Sequence, residues 1–109
     1  MAMKLEDIAK KICAKGKGIL AADESTGTIA KRFKSINVEN TEKNRLTFRQ
    51  TLFSSSAMKD YISGVILFDE TIKQKTLIGP TVPELISKHG AVPGIKVDKG
   101  AKLLAGSLE

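Results

Sequence analysis

A carboxylate at the end of an apolar run is the first feature of this sequence that could do chemistry. The run at residues 18–23 reads GILAAD, and its last residue is Asp23. Such a run is typical of a buried parallel strand, and a carboxylate that follows one can act as an acid, a base or the charge that orients a lysine. A solvated loop carboxylate or a helix cap fits the same pattern. Between Asp23 and the adjacent Glu24, we favour Asp23.

Hydroxyls and cations follow this carboxylate at the predicted start of a helix. Ser25, Thr26 and Thr28 come first, and Lys31 and Arg32 lie within the next turn. Free backbone amides, hydroxyls and cations at a helix start can converge on an anion such as a phosphate. The same hydroxyls can also serve only as caps of the helix. The residues alone leave both interpretations open.

Lys96 lies in a third apolar run, and strand alternation places it with Gly94 and Asp98 on one face, inside a barrel if one forms. An inward lysine is costly unless it is paired or used. An ion pair with Asp98 or Asp69 near the strand end would satisfy it. A Schiff-base nucleophile is the alternative, because desolvation lowers the pKa of a lysine and so activates its amine.

The other reactive residue types fit structural roles. Cys13, the only cysteine, lies on the apolar side of the first helical pattern and is predicted to be a small core residue. His89 is predicted to cap the end of a helix, where an imidazole suits the dipole. A set of cations is predicted to lie mostly on solvated helix faces: Lys31, Arg32, Lys34, Lys43, Arg45 and Arg49.

Three apolar runs that each end in aspartate predict the strands that carry these residues, at residues 18–23, 61–69 and 92–98. Helical periodicity predicts helices over about residues 3–15, 28–36 and 41–54, and another around residues 82–89 that Gly90 ends. Residues 54–56 and 79–80 are predicted to be loops. Strands that alternate with helices imply parallel pairing through right-handed crossovers.

Two fold classes fit this order: an open doubly wound sheet, and the beginning of a (β/α)₈ barrel. Gly16 comes before the first predicted strand and Gly18 begins it, so neither glycine follows that strand as a dinucleotide-binding fingerprint requires. The P-loop pattern is also absent. A complete barrel takes ~250 residues. We therefore predict a partial (β/α)₈ barrel with three parallel strands, in which residues 1–109 are the N-terminal portion of an incomplete domain.

Composition narrows the class of partner. With 41% hydrophobic and 28% charged residues, the chain is predicted to be a globular protein, and its net charge of +6 suits anionic partners. Aromatic residues make up only 5%, and the cations are spread along the chain, which argues against nucleic acid. No apolar run approaches the ~18 residues that span a bilayer, and no secretory signal is recognised. We expect a cytoplasmic protein without a membrane partner.

Four blocks, in order, resemble the class I fructose-bisphosphate aldolases. The first is GKGILAADESTGTIAKR at residues 16–32, and the second is ENTEKNR at residues 39–45. ISGVILF at residues 62–68 follows, with Glu70, Thr71, Gln74 and Lys75 close behind, and PGIKVDKG at residues 93–100 is the last. The resemblance covers about residues 8–106, which is nearly the whole chain.

The resemblance implies a (β/α)₈ barrel enzyme, usually a homotetramer, that acts in glycolysis and gluconeogenesis without a cofactor or metal ion. It implies reversible cleavage of fructose 1,6-bisphosphate to dihydroxyacetone phosphate and glyceraldehyde 3-phosphate through a lysine Schiff base. Asp23 resembles the active-site aspartate of the family, and Lys96 a lysine that supplies positive charge on the phosphate side. The substrate's 6-phosphate is expected near four further residues: Ser25, Thr28, Lys31 and Arg32.

The resemblance places the Schiff-base lysine, the proton-transferring glutamates and the other phosphate site on later strands of the family's barrel. These 109 residues are therefore expected to be inactive alone. The alternative function is a non-catalytic fragment that binds phosphate or assembles with another partial barrel, because the edge strands of an open sheet favour association.

Overall fold

A computed structural model describes residues 4–98. Its elements, in chain order, are α1 (Leu5–Ile12), β1 (Gly18–Ala22), α2 (Thr26–Ser35), α3 (Glu42–Phe53), α4 (Ser56–Tyr61), β2 (Ile62–Leu67), α5 (Asp69–Ile72), α6 (Val82–Lys88) and β3 (Val92–Ile95). The predicted helix start at residue 3 lies outside the described residues, as does the part of the resemblance at residues 99–106.

The three strands form one parallel sheet in the order β1-β2-β3, as predicted. Ala22 pairs with Leu67 in the first ladder, and Leu67 pairs with Ile95 in the second. All three carboxyl ends therefore meet at one edge of the sheet. Right-handed crossover of parallel strands requires the intervening helices to lie on a face of the sheet, and these helices build the core there.

One face of the sheet carries most of the buried apolar surface. Leu67 is fully buried, and the core cluster also contains Ala22, Phe53, Val82 and Ile86. On the other face, a Cβ at Gly64 would meet Ile12 at 3.7 Å and Ile19 at 3.6 Å. The end of α1 therefore covers this face near Gly64. The helix-covered face holds the strands together, and the other face is only partly covered.

Hydroxyl caps fix where most of the longer helices begin. The side chains of Ser25, Thr41 and Thr81 each accept a hydrogen bond from a backbone N–H in the first turn. Such a cap satisfies one of the amides that a helix start leaves free. Ser55 caps α4 in the same way, within the serine run that was predicted to be a loop. At the other end of α6, Gly90 has a φ of +86° and ends the helix as predicted.

Two expectations about burial are wrong. Only β2 is buried along most of its length, because β1 and β3 are edge strands, and Ile19 of β1 is 57% exposed. Cys13 is exposed instead of belonging to the core. The reason is that α1 ends at Ile12 and buries no residue completely, so its apolar side does not reach Cys13. In residues 4–98, no helix has the length and hydropathy to cross a membrane.

Candidate active site

Two residues from opposite edges of the sheet meet at its carboxyl end. Asp23 follows β1 directly, and Lys96 follows β3. The backbone N–H of Lys96 donates to the carbonyl of Leu67 at 2.9 Å, which extends the ladder and fixes the start of this side chain. The Nζ atom of Lys96 lies 3.8 Å from Oδ2 of Asp23, across the end of the central strand. Both side chains are about a quarter exposed, so a ligand can reach them.

Lys96 also forms an ion pair with Asp98, one of the two arrangements that its sequence position left open. Its Nζ donates to Oδ1 and Oδ2 of Asp98 at 2.9 and 3.0 Å. The hydrogen bond to Asp98, and to a smaller extent the charge of Asp23, raise the pKa of Lys96 above its ordinary value. A protonated amine is not a nucleophile, so Lys96 in this arrangement acts as a positive charge. Asp69, the other candidate partner, pairs with Lys73 at 3.0 Å.

The start of α2 presents two hydroxyls beside the end of β1. Ser25 Oγ accepts a hydrogen bond from the backbone N–H of Thr28 at 3.3 Å and lies 3.2 Å from Thr28 Oγ1. Capping by these hydroxyls is thus observed. Both residues are exposed, and hydroxyl oxygens can take part in more than one hydrogen bond, so the cap does not block a ligand.

The two cations of α2 lie in different surroundings. Arg32 donates to Oε2 of Glu24 while more than half of its side chain remains exposed. Lys31 is exposed, and within residues 4–98 no hydrogen bond or ion pair joins it to the other predicted site residues. The structure therefore brings Asp23 to Lys96 and Ser25 to Thr28. Arg32 pairs with Glu24, the carboxylate that the sequence analysis considered a weaker candidate than Asp23.

A buried arginine on α3 supports the end of β1. Arg49 is only 1% exposed. Its Nη1 donates to the hydroxyl of Thr71 at 2.7 Å, and its Nη2 donates to the backbone carbonyl of Glu24. Burial lowers the pKa of Arg49, and the charge of Glu24 opposes that shift. The guanidinium therefore ties α3 and α5 to the residue that follows Asp23.

A model of the family "Fructose-bisphosphate aldolase class-I" matches residues 4–109. The chain belongs to this family. Fructose-bisphosphate aldolase A of Salmo salar is 60% identical to it over 105 residues, which are 95% of this chain and 29% of the relative. Aldolase 5 of Arabidopsis thaliana, named cytosolic, is 60% identical over 99 residues, or 91% of this chain and 28% of the relative. The chain thus spans less than a third of the length of these relatives.

A solved aldolase supports the fold directly. Plasmodium falciparum aldolase, in a ternary complex with TRAP and a small-molecule inhibitor, superposes with a TM-score of 0.85 at 46% identity. The superposition covers 93% of this chain and 29% of that one. This likeness confirms the fold class predicted from the sequence, part of a (β/α)₈ barrel. In such barrels the catalytic residues lie at the carboxyl ends of the strands, the edge at which Asp23 and Lys96 meet.

Two arginines of this chain were placed wrongly in the sequence analysis. Arg45 and Arg49 were expected on a solvated helix face, and both are buried. Arg45 forms a bidentate pair with Glu70, with Nε–Oε1 and Nη2–Oε2 distances of 2.7 and 2.8 Å, and this pair lowers the pKa of Glu70. Their spacing could have indicated their burial. Residues 45, 49 and 53 are four apart and so share one face of α3, and Phe53 on that face is fully buried.

One cavity in the described part of the chain does not include the Asp23–Lys96 pair. It has a volume of about 780 Å³ and lies between α3 and α5, where Leu46, Glu70 and Gln74 contribute to its walls. In residues 4–98, no group of three or more histidine, cysteine, aspartate or glutamate side chains could hold a metal ion. The candidate site consists of the Asp23–Lys96 ion pair and the hydroxyls of Ser25 and Thr28.

Proposed function

We propose that this chain supplies part of the active site of an enzyme that reversibly cleaves fructose 1,6-bisphosphate to dihydroxyacetone phosphate and glyceraldehyde 3-phosphate, in glycolysis and gluconeogenesis. The observation that carries the proposal is the approach of Asp23 and Lys96 to 3.8 Å at the carboxyl end of the sheet. They come from opposite edge strands of a chain whose residues 4–109 match the class I aldolase family.

Asp23 is proposed as the catalytic residue. Its carboxylate lies among positive charges, with Lys96 at 3.8 Å and the buried Arg49 near enough for its charge to act on Asp23. A carboxylate held in this way can orient a lysine and accept or return a proton as the carbinolamine and Schiff base form. The interaction strengthens as charge develops, so it should lower the barrier more than it improves substrate binding.

Five residues are proposed to bind the phosphorylated sugar. Ser25 and Thr28 offer hydroxyls at the start of a ten-residue helix, where the dipole favours an anion. Lys31 and Arg32 lie on the same helix, and both are exposed. Lys96 supplies positive charge from the opposite edge of the sheet, and Asp98 and Asp23 raise the pKa of its amine further.

The wider setting follows from the same proposal. We expect residues 1–109 to be the N-terminal portion of the barrel domain and the assembled enzyme to be a homotetramer in the cytoplasm. A cytosolic name among the relatives supports the location. The position of β1 at an edge of the three-stranded sheet supports association with further strands.

A grafting experiment tests the proposal. Residues 4–109 would replace the matching segment of Salmo salar aldolase A, with which they share 60% identity over 105 residues. The graft should cleave fructose 1,6-bisphosphate at a rate within about tenfold of the parent enzyme, a barrier difference of no more than about 1.4 kcal/mol, measured with a coupled NADH assay. A folded graft without activity would contradict the proposal.

The 109 residues alone should show no cleavage, because the resemblance assigns the Schiff-base lysine to a later strand. Borohydride reduction in the presence of dihydroxyacetone phosphate should leave the chain unmodified in its mass spectrum. A stable adduct on Lys96 would make Lys96 the nucleophile and overturn the role assigned to it here.

The exposed sheet supports a second candidate function, an assembly module. Ile19 of β1 is 57% exposed, because it lies beside Gly64 on the less covered face of the sheet. An apolar side chain on an unpaired edge strand favours association with another polypeptide. A folded, monomeric chain at tens of micromolar in light scattering would exclude this function.

A further inference from the structure

Glu24 lies between two arginines that differ sharply in exposure. Its Oε2 accepts a hydrogen bond from Nη1 of Arg32, whose side chain is 57% exposed. Its other oxygen, Oε1, faces Nη2 of Arg49 at 3.8 Å, and the Arg49 side chain is only 1% exposed. One carboxylate is therefore shared between a cation at the surface and a cation in the interior.

The pairing on the interior side is incomplete. Within residues 4–98, Oε1 of Glu24 and Nε of Arg49 are both buried without a hydrogen-bond partner. Buried polar atoms in native proteins nearly always have such partners, and a charged group without one carries a large desolvation cost. A shift of the Glu24 carboxylate toward Arg49 by about 1 Å would bring the 3.8 Å separation into the hydrogen-bond range.

The carboxylate is the part of this network that can move. Arg49 is fixed by its hydrogen bonds to Thr71 on α5 and to the backbone carbonyl of Glu24, which lies between β1 and α2. Arg32 has more than half of its side chain in solvent. Rotation of the Glu24 side chain is thus enough to exchange one arginine for the other without a backbone movement.

We propose that Glu24 acts as a competitor for Arg32, and that a phosphate group on the ligand displaces the Glu24 carboxylate from Arg32 onto Arg49. This inference rests on the phosphate-binding role proposed above for Arg32. In the free chain, Arg32 is neutralised by Glu24. A phosphate dianion attracts Arg32 more strongly than one carboxylate does, whereas a monoanion gains little over Glu24. The exchange therefore selects for a phosphate ester over singly charged metabolites.

Phosphate affinity tests the competition. Inorganic phosphate would be titrated into the 109-residue chain while the Nε–H signals of Arg32 and Arg49 are followed by NMR. Glu24→Gln removes the competing charge and keeps the shape, so it should tighten phosphate binding by about fivefold, the effect of one unit charge a few ångströms away in water. Glu6→Gln makes the same charge change on the exposed α1 helix and should leave the affinity unchanged.

The unmodified chain gives an independent readout. Arg49 is too deeply buried to touch phosphate, so a shift of its Nε–H signal during the titration reports the arrival of the Glu24 carboxylate. A simple structural role for Glu24 would not produce that shift. This measurement needs no variant, so it decides the matter even if Glu24→Gln does not fold.

The outcomes separate this inference from the proposed function. Phosphate binding that Arg32→Ala abolishes, with no shift at Arg49 and no gain in Glu24→Gln, would overturn the exchange and leave the proposed role of Arg32 intact. Absence of phosphate binding in both the unmodified chain and Glu24→Gln would overturn both. Binding that appears only in Glu24→Gln would show that Glu24 blocks Arg32 and is not displaced by phosphate, and would overturn the exchange.

Discussion

Replacing Arg49 with methionine should destabilise the fold markedly. The substitution removes the donors to the Glu24 carbonyl and to the Thr71 hydroxyl. A buried acceptor left without its donor costs about 1 to 3 kcal/mol. Two effects offset part of this cost. The methionine side chain packs in the apolar surroundings, and the substitution removes the desolvation cost of a charged group that is only 1% exposed. We expect a net loss of about 2 to 4 kcal/mol in the free energy of unfolding.

Urea denaturation followed by circular dichroism measures this loss, with Lys43→Met as the matched control. Lys43 is an exposed cation on the same helix, so its replacement should change the unfolding free energy by no more than about 0.5 kcal/mol. If Arg49→Met were as stable as the unmodified chain, the desolvation cost would equal the value of both hydrogen bonds. The interpretation of Arg49 as a support for the end of β1 would then fail.

Two further predictions concern pH and association. Because Arg45 lowers the pKa of Glu70 below its ordinary 4.5, this pair stabilises the fold above that pH, and the stabilisation is lost as the pH falls through the lowered pKa. Urea titrations at several pH values should therefore show a shallower acid dependence in Glu70→Gln. The isolated chain should self-associate at tens of micromolar in light scattering. Ile19→Lys should reduce this self-association, since Ile19 is 57% exposed on an edge strand. Equal scattering by the unmodified chain and by Ile19→Lys would refute the prediction.

The sequence predicted the order of the strands and most of the longer helices because those signals are local. Three apolar runs that end in aspartate marked the strands, and hydroxyl caps such as Thr41 marked helix starts to within a residue or two. The two short helices, α4 and α5, have four to six residues and too little periodicity to be detected. Contacts between residues far apart along the chain were not predicted by these local signals.

The candidate site shows that limit most clearly. Strand alternation predicted that Lys96 would share a face with Asp98, and the structure shows their ion pair. Nothing local in the sequence indicates that the Glu24 carboxylate lies between Arg32 and Arg49, because Arg49 is 25 residues away along the chain. Cys13 was placed in the core on periodicity alone, which cannot show that α1 ends one residue earlier.

Steady-state kinetics of two variants in the aldolase graft test the central claim most directly. Asp23→Asn should lower kcat by orders of magnitude with little change in KM, because its interaction with Lys96 at 3.8 Å is proposed to matter in the transition state. Arg32→Ala should mainly raise KM, by about tenfold to a hundredfold, because a charge-assisted phosphate contact is present before and during the reaction. The reverse pattern, with Asp23→Asn changing only KM and Arg32→Ala only kcat, would contradict the roles assigned to the two residues.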